Sequence, residues 1–439
     1  MRRQTMKETK NIWRTGKTAA LLLLAVLLAC AVIVPASAED SSAVFTPQEI
    51  QGMMTAGSVF SDVFDDALYN SLDDSAKADY MATVLGSLSG PSGSAAVTMN
   101  SVPGLPSANG NQQAQVQYQT RTNSILQQHD LSAYSAPLIN RESIYYDADA
   151  KTFTFRYSNG VLAAVKIGRD TCCDEGNQTS SLVEAKNVFR STEQNIDRSV
   201  SFYNALLVYD LGNTEESIGT LRDILHPLLN SDPMYTCTFD KHPSVTDYKT
   251  ILKNQKLVVI SAHGTMYTVS ETPLTKIPAL SVQEPVTGST LIKYRADLTA
   301  QRVGLFYAEG DITQEREIFA ILPQFFEHYY GSTSQQLSDA YVHLGICSGF
   351  GDGGNENYAL GNALRTVGAD VVTGYNNPVN VPYDHSIILK IVRELLKGDT
   401  VHQAIAEAQA EFGYTDANGE SKTTAGYLVS LGNTNWCSP

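Results

Sequence analysis

Positive charge is scarce in this 439-residue sequence: 31 Lys and Arg stand against 46 Asp and Glu, a formal charge of −15. Six of those basic residues, Arg2, Arg3, Lys7, Lys10, Arg14 and Lys17, lie within the first 38 positions, with Glu8 as the one acid there. Beyond residue 38 the balance is therefore 25 against 45, or −20. A surface of that sign repels phosphate backbones and anionic lipid, so no nucleic-acid partner is expected, nor a membrane one once the leader is removed. Cysteine is scarce too, at six residues, and no Cys/His spacing suits a structural zinc site. The Gly-rich stretch 351–357 lacks the Lys-Ser/Thr ending of a phosphate loop. What the chain does have is apolar content, 43% against 18% charged, enough for a sizeable core and about two domains.

The basic leader is followed by an apolar run, Ala19–Val34, and by Pro35-Ala36-Ser37-Ala38, whose small residues suit signal peptidase. Residues 1–38 are accordingly expected to be a signal peptide and the mature protein to be secreted. Retention of the leader, or lipidation at Cys30 in Leu27-Leu28-Ala29-Cys30, would instead attach it to the cell envelope. Cys30 leaves with the leader, and Cys172, Cys173, Cys237, Cys347 and Cys437 remain. An odd number leaves one thiol outside any set of internal disulfides.

Residues 45–88 read as helical. Thr46-Pro47-Gln48-Glu49 is a capping box, and Phe60, Val63, Phe64, Ala67 and Leu68 recur at helical spacing. Gly86–Ala114 shifts to Ser, Gly, Pro, Asn and Gln, the composition of a linker. Three short strands follow at Ile144–Tyr146, Thr152–Tyr157 and Val161–Ile167. From about residue 200, apolar runs alternate with helical stretches, the pattern of a mostly parallel sheet covered by helices on both faces. Strands are expected at Ala205–Tyr209, Met234–Phe239, Leu257–Ser261, Ala340–Ile346, Val371–Thr373 and Tyr427–Leu431. Helices are expected from about Glu215 to before Pro227, from Ser244 to about Leu252, and over Glu315–Tyr330, Tyr358–Val367, Asp384–Leu396 and Val401–Phe412. The organisation expected is a leader (1–38), a helical segment with its linker (39–119), a small β-rich unit (120–198) and an α/β domain (199–439).

Ligands in such sheets bind beyond the carboxyl ends of the strands. One strand ends in Ser261-Ala262-His263-Gly264 and another in Gly345-Ile346-Cys347-Ser348-Gly349. If the two are neighbours, an imidazole and a thiol share one rim. A nearby imidazole favours the thiolate, and the same ring can protonate a leaving amine. Gly264 lets its backbone N–H approach a developing oxyanion closely, and the Cys347 N–H is the candidate second donor. Standing alone, Cys347 would read as core and His263 as a surface-turn residue; the matched strand ends reverse both readings. His343 lies inside an apolar strand and reads as a hydrogen-bonded core histidine; His385 and His402 read as structural helix residues, and Cys172-Cys173 as structural.

These strand ends resemble the caspase-like clan of cysteine peptidases, clan CD, over about residues 200–439. Cys347-Ser348-Gly349 is similar to the turn after the nucleophile in metacaspases and legumains. The run from Ala363 to Gly374, with Pro378-Val379 and Lys397–Ala404, resembles CHAT-domain and gingipain-type peptidases. The resemblance implies a caspase-like fold and a cysteine endopeptidase acting on proteins or peptides through a thioester acyl-enzyme, with Cys347 and His263 as catalytic dyad and no required cofactor. Calcium is the ion that some relatives of clostripain would place in a loop such as Gly351–Asn357; a substrate-side loop is the other reading. Clostripain-type peptidases and metacaspases carry an acid two residues before the nucleophile. Here that position is Gly345, so Asp210 and Asp384 are the candidates to hold a basic substrate side chain. Maturation cuts in relatives also imply a precursor clipped within 39–140 or 271–310. The alternative for 271–310 is an ordered hairpin over the sheet. A protein that keeps the sheet for binding, without turnover, is the alternative function.

Overall fold

The structure, a computed structural model, describes residues 44–90, 102–105, 112–168, 203–211, 218–271, 274–309, 316–332, 337, 339–353, 355–416 and 425–438. The leader, Cys172-Cys173, most of the linker and the first residues of the helix expected from Glu215 lie outside these. Phe45–Pro439 forms one compact unit.

The fold is mixed α/β. Helices α1 (Pro47–Phe64), α2 (Asp74–Leu88) and α3 (Gln112–Leu126) precede the sheets. The capping box at Thr46 forms: Glu49 N–H donates to Thr46 Oγ1 (3.1 Å) and Thr46 N–H to Glu49 Oε2 (2.7 Å). Helix α1 is not peripheral. Phe60 packs on Phe155 and Tyr307, with ring centroids 5.8 and 5.0 Å away.

Strands β1 (Ile139–Asp147), β2 (Thr152–Tyr157) and β3 (Leu162–Lys166) form the expected antiparallel unit. They do not stand alone, since three strands bury too little to be stable by themselves. β3 pairs in parallel with β9 (Val303–Ala308) and extends a seven-stranded sheet ordered β1-β2-β3-β9-β10-β8-β7, with β10 (Glu317–Ile321), β8 (Leu274–Pro285) and β7 (Gly264–Glu271). The second sheet is ordered β15-β14-β11-β6-β4-β5. Its strands β4 (Tyr203–Asp210), β5 (Tyr235–Lys241), β6 (Gln255–Ala262), β11 (Ala340–Gly345) and β14 (Ala369–Asn376) are parallel. β15 (Tyr427–Gly432) closes it antiparallel. A short hairpin, β12 (Gly351–Asp352) with β13 (Asn355–Glu356), follows β11.

Alternation along the parallel strands splits their side chains between two cores. Even-numbered positions such as Leu206, Val258, Ile260, Val342 and Leu344 pack with Phe325, Phe326 and Leu360 of helices α4 (Pro323–Tyr330) and α5 (Ala359–Thr366). Odd-numbered ones such as Leu207, Val259, Tyr341 and Tyr375 pack with Ile387, Ile391 and Ala404 of α6 (Val381–Leu396) and α7 (Val401–Phe412). Helices thus cover both faces.

Three expectations need correction. Glu315–Tyr330 is not one helix: Glu317–Ile321 is a buried strand, and the helix begins at Pro323, whose fixed φ suits a first turn. The helix near Pro227 does not stop there. A π-helical stretch, Thr220–Leu225, runs into helix His226–Ser231, and the wider turn accommodates a proline that cannot donate. The helix capped by Ser244 is a single turn, Val245–Tyr248. Within the stretch 271–310, residues 274–309 are ordered. They form β8, paired along β7, two short helices and β9.

Candidate active site

β6 and β11 are parallel neighbours, with Ser261 opposite Gly345 as their last registered pair. His263 and Cys347 each lie two residues further on, so the register brings them level at one rim. Period-two alternation puts them on the α6 face with Ser261, Gly345 and His343. β6 and β7 are consecutive, and His263 is the single residue between them. The imidazole therefore sits where the chain leaves one sheet for the other. The Ser281 N–H and Oγ both bond to its carbonyl at 2.9 Å and fix that junction.

Gly264 lies against the backbone of Cys347. A Cβ built there would stand 3.1 Å from Cys347 N and C, and closer still to Cys347 O. Only glycine allows this approach, and it holds the two candidate oxyanion donors beside each other. Cys347 itself is 4% exposed and His263 2%. The Cys347 Sγ–H donates to the Val379 carbonyl at 3.6 Å. The following residue, Ser348, has φ +55°, a left-handed conformation uncommon for non-glycine residues. Its N–H donates to Asn377 O (3.0 Å). The sharp turn lifts the thiol out of the strand.

The first turn of α6 supplies the floor. Asp384 Oδ1 bonds His343 Nε2 at 2.7 Å, and Thr373 Oγ1 bonds His343 Nδ1 at 2.9 Å. His343 is thus the hydrogen-bonded core histidine its apolar strand predicts. His385 Nε2 bonds Ser261 Oγ at 3.0 Å, and burial lowers its pKa. The carboxylate of Asp384 fills the space beside Gly345, where a built Cβ would lie 2.9 Å from Cγ and 3.0 Å from Oδ1.

Asp210 ends β4 at the same rim but pairs in register with Ala262, so its side chain takes the opposite face. There it bonds His242 Nδ1 (3.2 Å) and accepts from Gln283 N–H (3.3 Å). Burial pushes its carboxyl up to about 6, against the lowering effect of His242. The structure gathers His263, Gly264, Cys347, Gly345 and Asp384 on one face and places Asp210 on the other.

Asn377 and Asp416 were not singled out from the sequence. Pro378-Val379 was legible as part of the family resemblance, but its carbonyl contact with the thiol is backbone geometry, which side-chain identities do not encode. Among the described residues no three His, Cys, Asp or Glu side chains are grouped so as to hold a metal ion, and no helix is long and apolar enough to cross a membrane. Compared with known proteins, the chain matches no family model and no curated sequence.

Proposed function

We propose that this protein is an exported, caspase-like cysteine endopeptidase with Cys347 as nucleophile and His263 as its acid–base partner. The observation that carries the reading is the register of β6 and β11, which sets His263 level with Cys347 and packs Gly264 on the Cys347 backbone. In the reaction, the thiolate adds to a peptide carbonyl carbon. The oxyanion takes bonds from the backbone N–H groups of Gly264 and Cys347. His263 delivers its proton to the leaving amine, the C–N bond breaks, and a thioester remains. Water, deprotonated by the same imidazole, then releases the acid product.

On this reading Asp384 is the better of the two candidate acids for a basic side chain before the scissile bond, because it shares the face of Cys347 and fills the place of a side chain at Gly345. A peptide-library cleavage profile of the mature protein and its Cys347→Ala variant tests the proposal. Cleavage by the wild type, absent from the variant, supports it; equal cleavage by both refutes it. No cleavage by either, even once Cys347 is accessible to a thiol reagent, would favour a silent caspase-like binding protein, to which the 4% exposure of the thiol also points.

A further inference from the structure

We propose that the backbone segment Asn377–Asn380 is an autoinhibitory strap that lies in the reaction space of Cys347 and must move before any substrate can be attacked. The inference rests on Cys347 being the nucleophile. A reacting carbonyl carbon has to come within about 3–3.5 Å of the attacking atom. The Val379 oxygen already stands 3.6 Å from Cys347 Sγ, and Val379 itself is 4% exposed. That oxygen also works against the chemistry. As an acceptor it stabilises the thiol, and it would repel the thiolate that attack requires.

The strap is clasped at both ends. At its start, Asn377 has φ +69° and faces Ser348, also left-handed at +55°. Asn377 O accepts from Ser348 N–H, and Asn377 N–H donates to Gly351 O, both at 3.0 Å. The Asn377 side-chain amide donates to Ala425 O at 3.4 Å. Non-glycine residues keep such backbone angles only where their surroundings enforce them. At its end, Asn380 N–H donates to the carboxylate of Asp416 at 2.6 Å. Asp416 is 1% exposed, and its own N–H bonds Gly426 O at 2.9 Å. Gly426 lies against the strap, for a Cβ there would come 2.5 Å from Pro378 O. Asp416 and Gly426 together act as the latch. Asn380 is also the N-cap of α6 and makes no side-chain cap of its own, so the Asp416 carboxylate supplies that helix end with its acceptor.

The test is thiol labelling of the intact chain with iodoacetamide, read at each cysteine by peptide mass spectrometry. Exposed Cys437 serves as internal standard. In the wild type Cys347 should label more slowly than Cys437. Asp416→Ala removes the latch, and Pro378→Gly loosens the strap without touching it; circular dichroism checks both folds. Loss of a bond to a charged acceptor predicts a rise of about tenfold or more in the Cys347-to-Cys437 labelling ratio. Unchanged ratios in both folded variants would overturn the strap, as would wild-type Cys347 labelling as fast as Cys437. Peptide cleavage separates the two claims. Faster labelling without cleavage overturns the autoinhibitory role together with the peptidase reading and leaves only a cover over the thiol, whereas cleavage with unchanged labelling keeps the peptidase reading and overturns the strap.

Discussion

Asp384 stands where a side chain on Gly345 would begin. A methyl group at 345 would meet the carboxylate at Cγ, 2.9 Å, and Oδ1, 3.0 Å. Gly345→Ala should therefore lower stability by about 1–3 kcal/mol, the usual cost of overpacking. Asp384→Ala should cost as much or more, because His343 loses its 2.7 Å partner in a fully buried site. Joined in one chain, the two changes should cost less than their sum, since each makes room for the other. Thermal or urea melts of the four proteins check this, and strict additivity would show that the carboxylate does not confine position 345.

The same carboxylate has a kinetic consequence. Asp384→Asn keeps the shape and removes the charge. On the peptidase reading, cleavage after Lys or Arg should fall by about tenfold or more relative to cleavage after an uncharged residue. The ratio of kcat/KM values for two matched peptides measures it. An unchanged ratio would remove Asp384 from the substrate pocket.

On the peptidase reading, His263→Ala should reduce turnover nearly as far as Cys347→Ala, because nucleophile and base act as a unit. The double variant should be scarcely worse than either single one. Gly264 is a poorer probe than its sequence context suggests. Any side chain there collides with the Cys347 backbone, so a loss of turnover in Gly264→Val would not separate a missing oxyanion donor from a displaced nucleophile.

The parallel strands were legible because each is an apolar run buried on both faces, and His263 and Cys347 announced themselves by ending two of them. What stayed hidden was pairing at a distance. β10 reads as helix since Glu317–Ile321 runs directly into the aromatic stripe of α4, and five residues carry too little period to separate the two. β9 and the β7–β8 hairpin are hard to read because Pro273, Pro278 and Pro285 interrupt the apolar pattern of this stretch. Pro278 and Pro285 in fact sit within the long strand β8, between β10 and the edge strand β7. Asp384 is a candidate from its place beyond the fifth expected strand; only the packing of α6 against Gly345 shows what it touches.

Asp352, in the hairpin beyond Cys347, carries a pH dependence. Burial, with Asp147 nearby, pushes its carboxyl up to about 6. Its Oδ1 accepts from Gly353 N–H (2.8 Å), while Oδ2 has no hydrogen-bond partner among the described residues. With a folded value above the ordinary 3.8, the native state binds this proton more tightly than the unfolded one. Its stabilising contribution is full below about pH 4 and is lost as pH rises through about 6. Asp352→Asn keeps the bond to Gly353 and removes the buried charge. The variant should gain on the wild type as pH rises from 4 to 7, with a ceiling of about 3 kcal/mol. Melting temperatures across that range decide it; a constant difference would mean that the carboxyl titrates normally.

The N-terminal helices are held to the sheet by a buried charge. Glu309, just past β9 and 4% exposed, forms an ion pair with Lys77 of α2 and accepts from Tyr69 OH (3.0 Å) and Gly168 N–H (2.7 Å). Removing one partner of such a pair leaves the other charged and desolvated, so Glu309→Ala should cost about 3–5 kcal/mol. The same contacts bear on maturation. If the chain is a precursor that is clipped between residues 39 and 140, the helical piece should stay bound, because Phe60 is buried against Phe155 and Tyr307. Incubating wild type and Cys347→Ala side by side, then comparing denaturing with native mass spectrometry, follows both steps. Clipping in the wild type alone identifies self-processing. Fragments that separate under denaturing conditions but travel together under native ones show that the helices remain part of the fold. Release of the helical piece from a still-folded remainder would contradict the packing of α1 and α2 on the sheet.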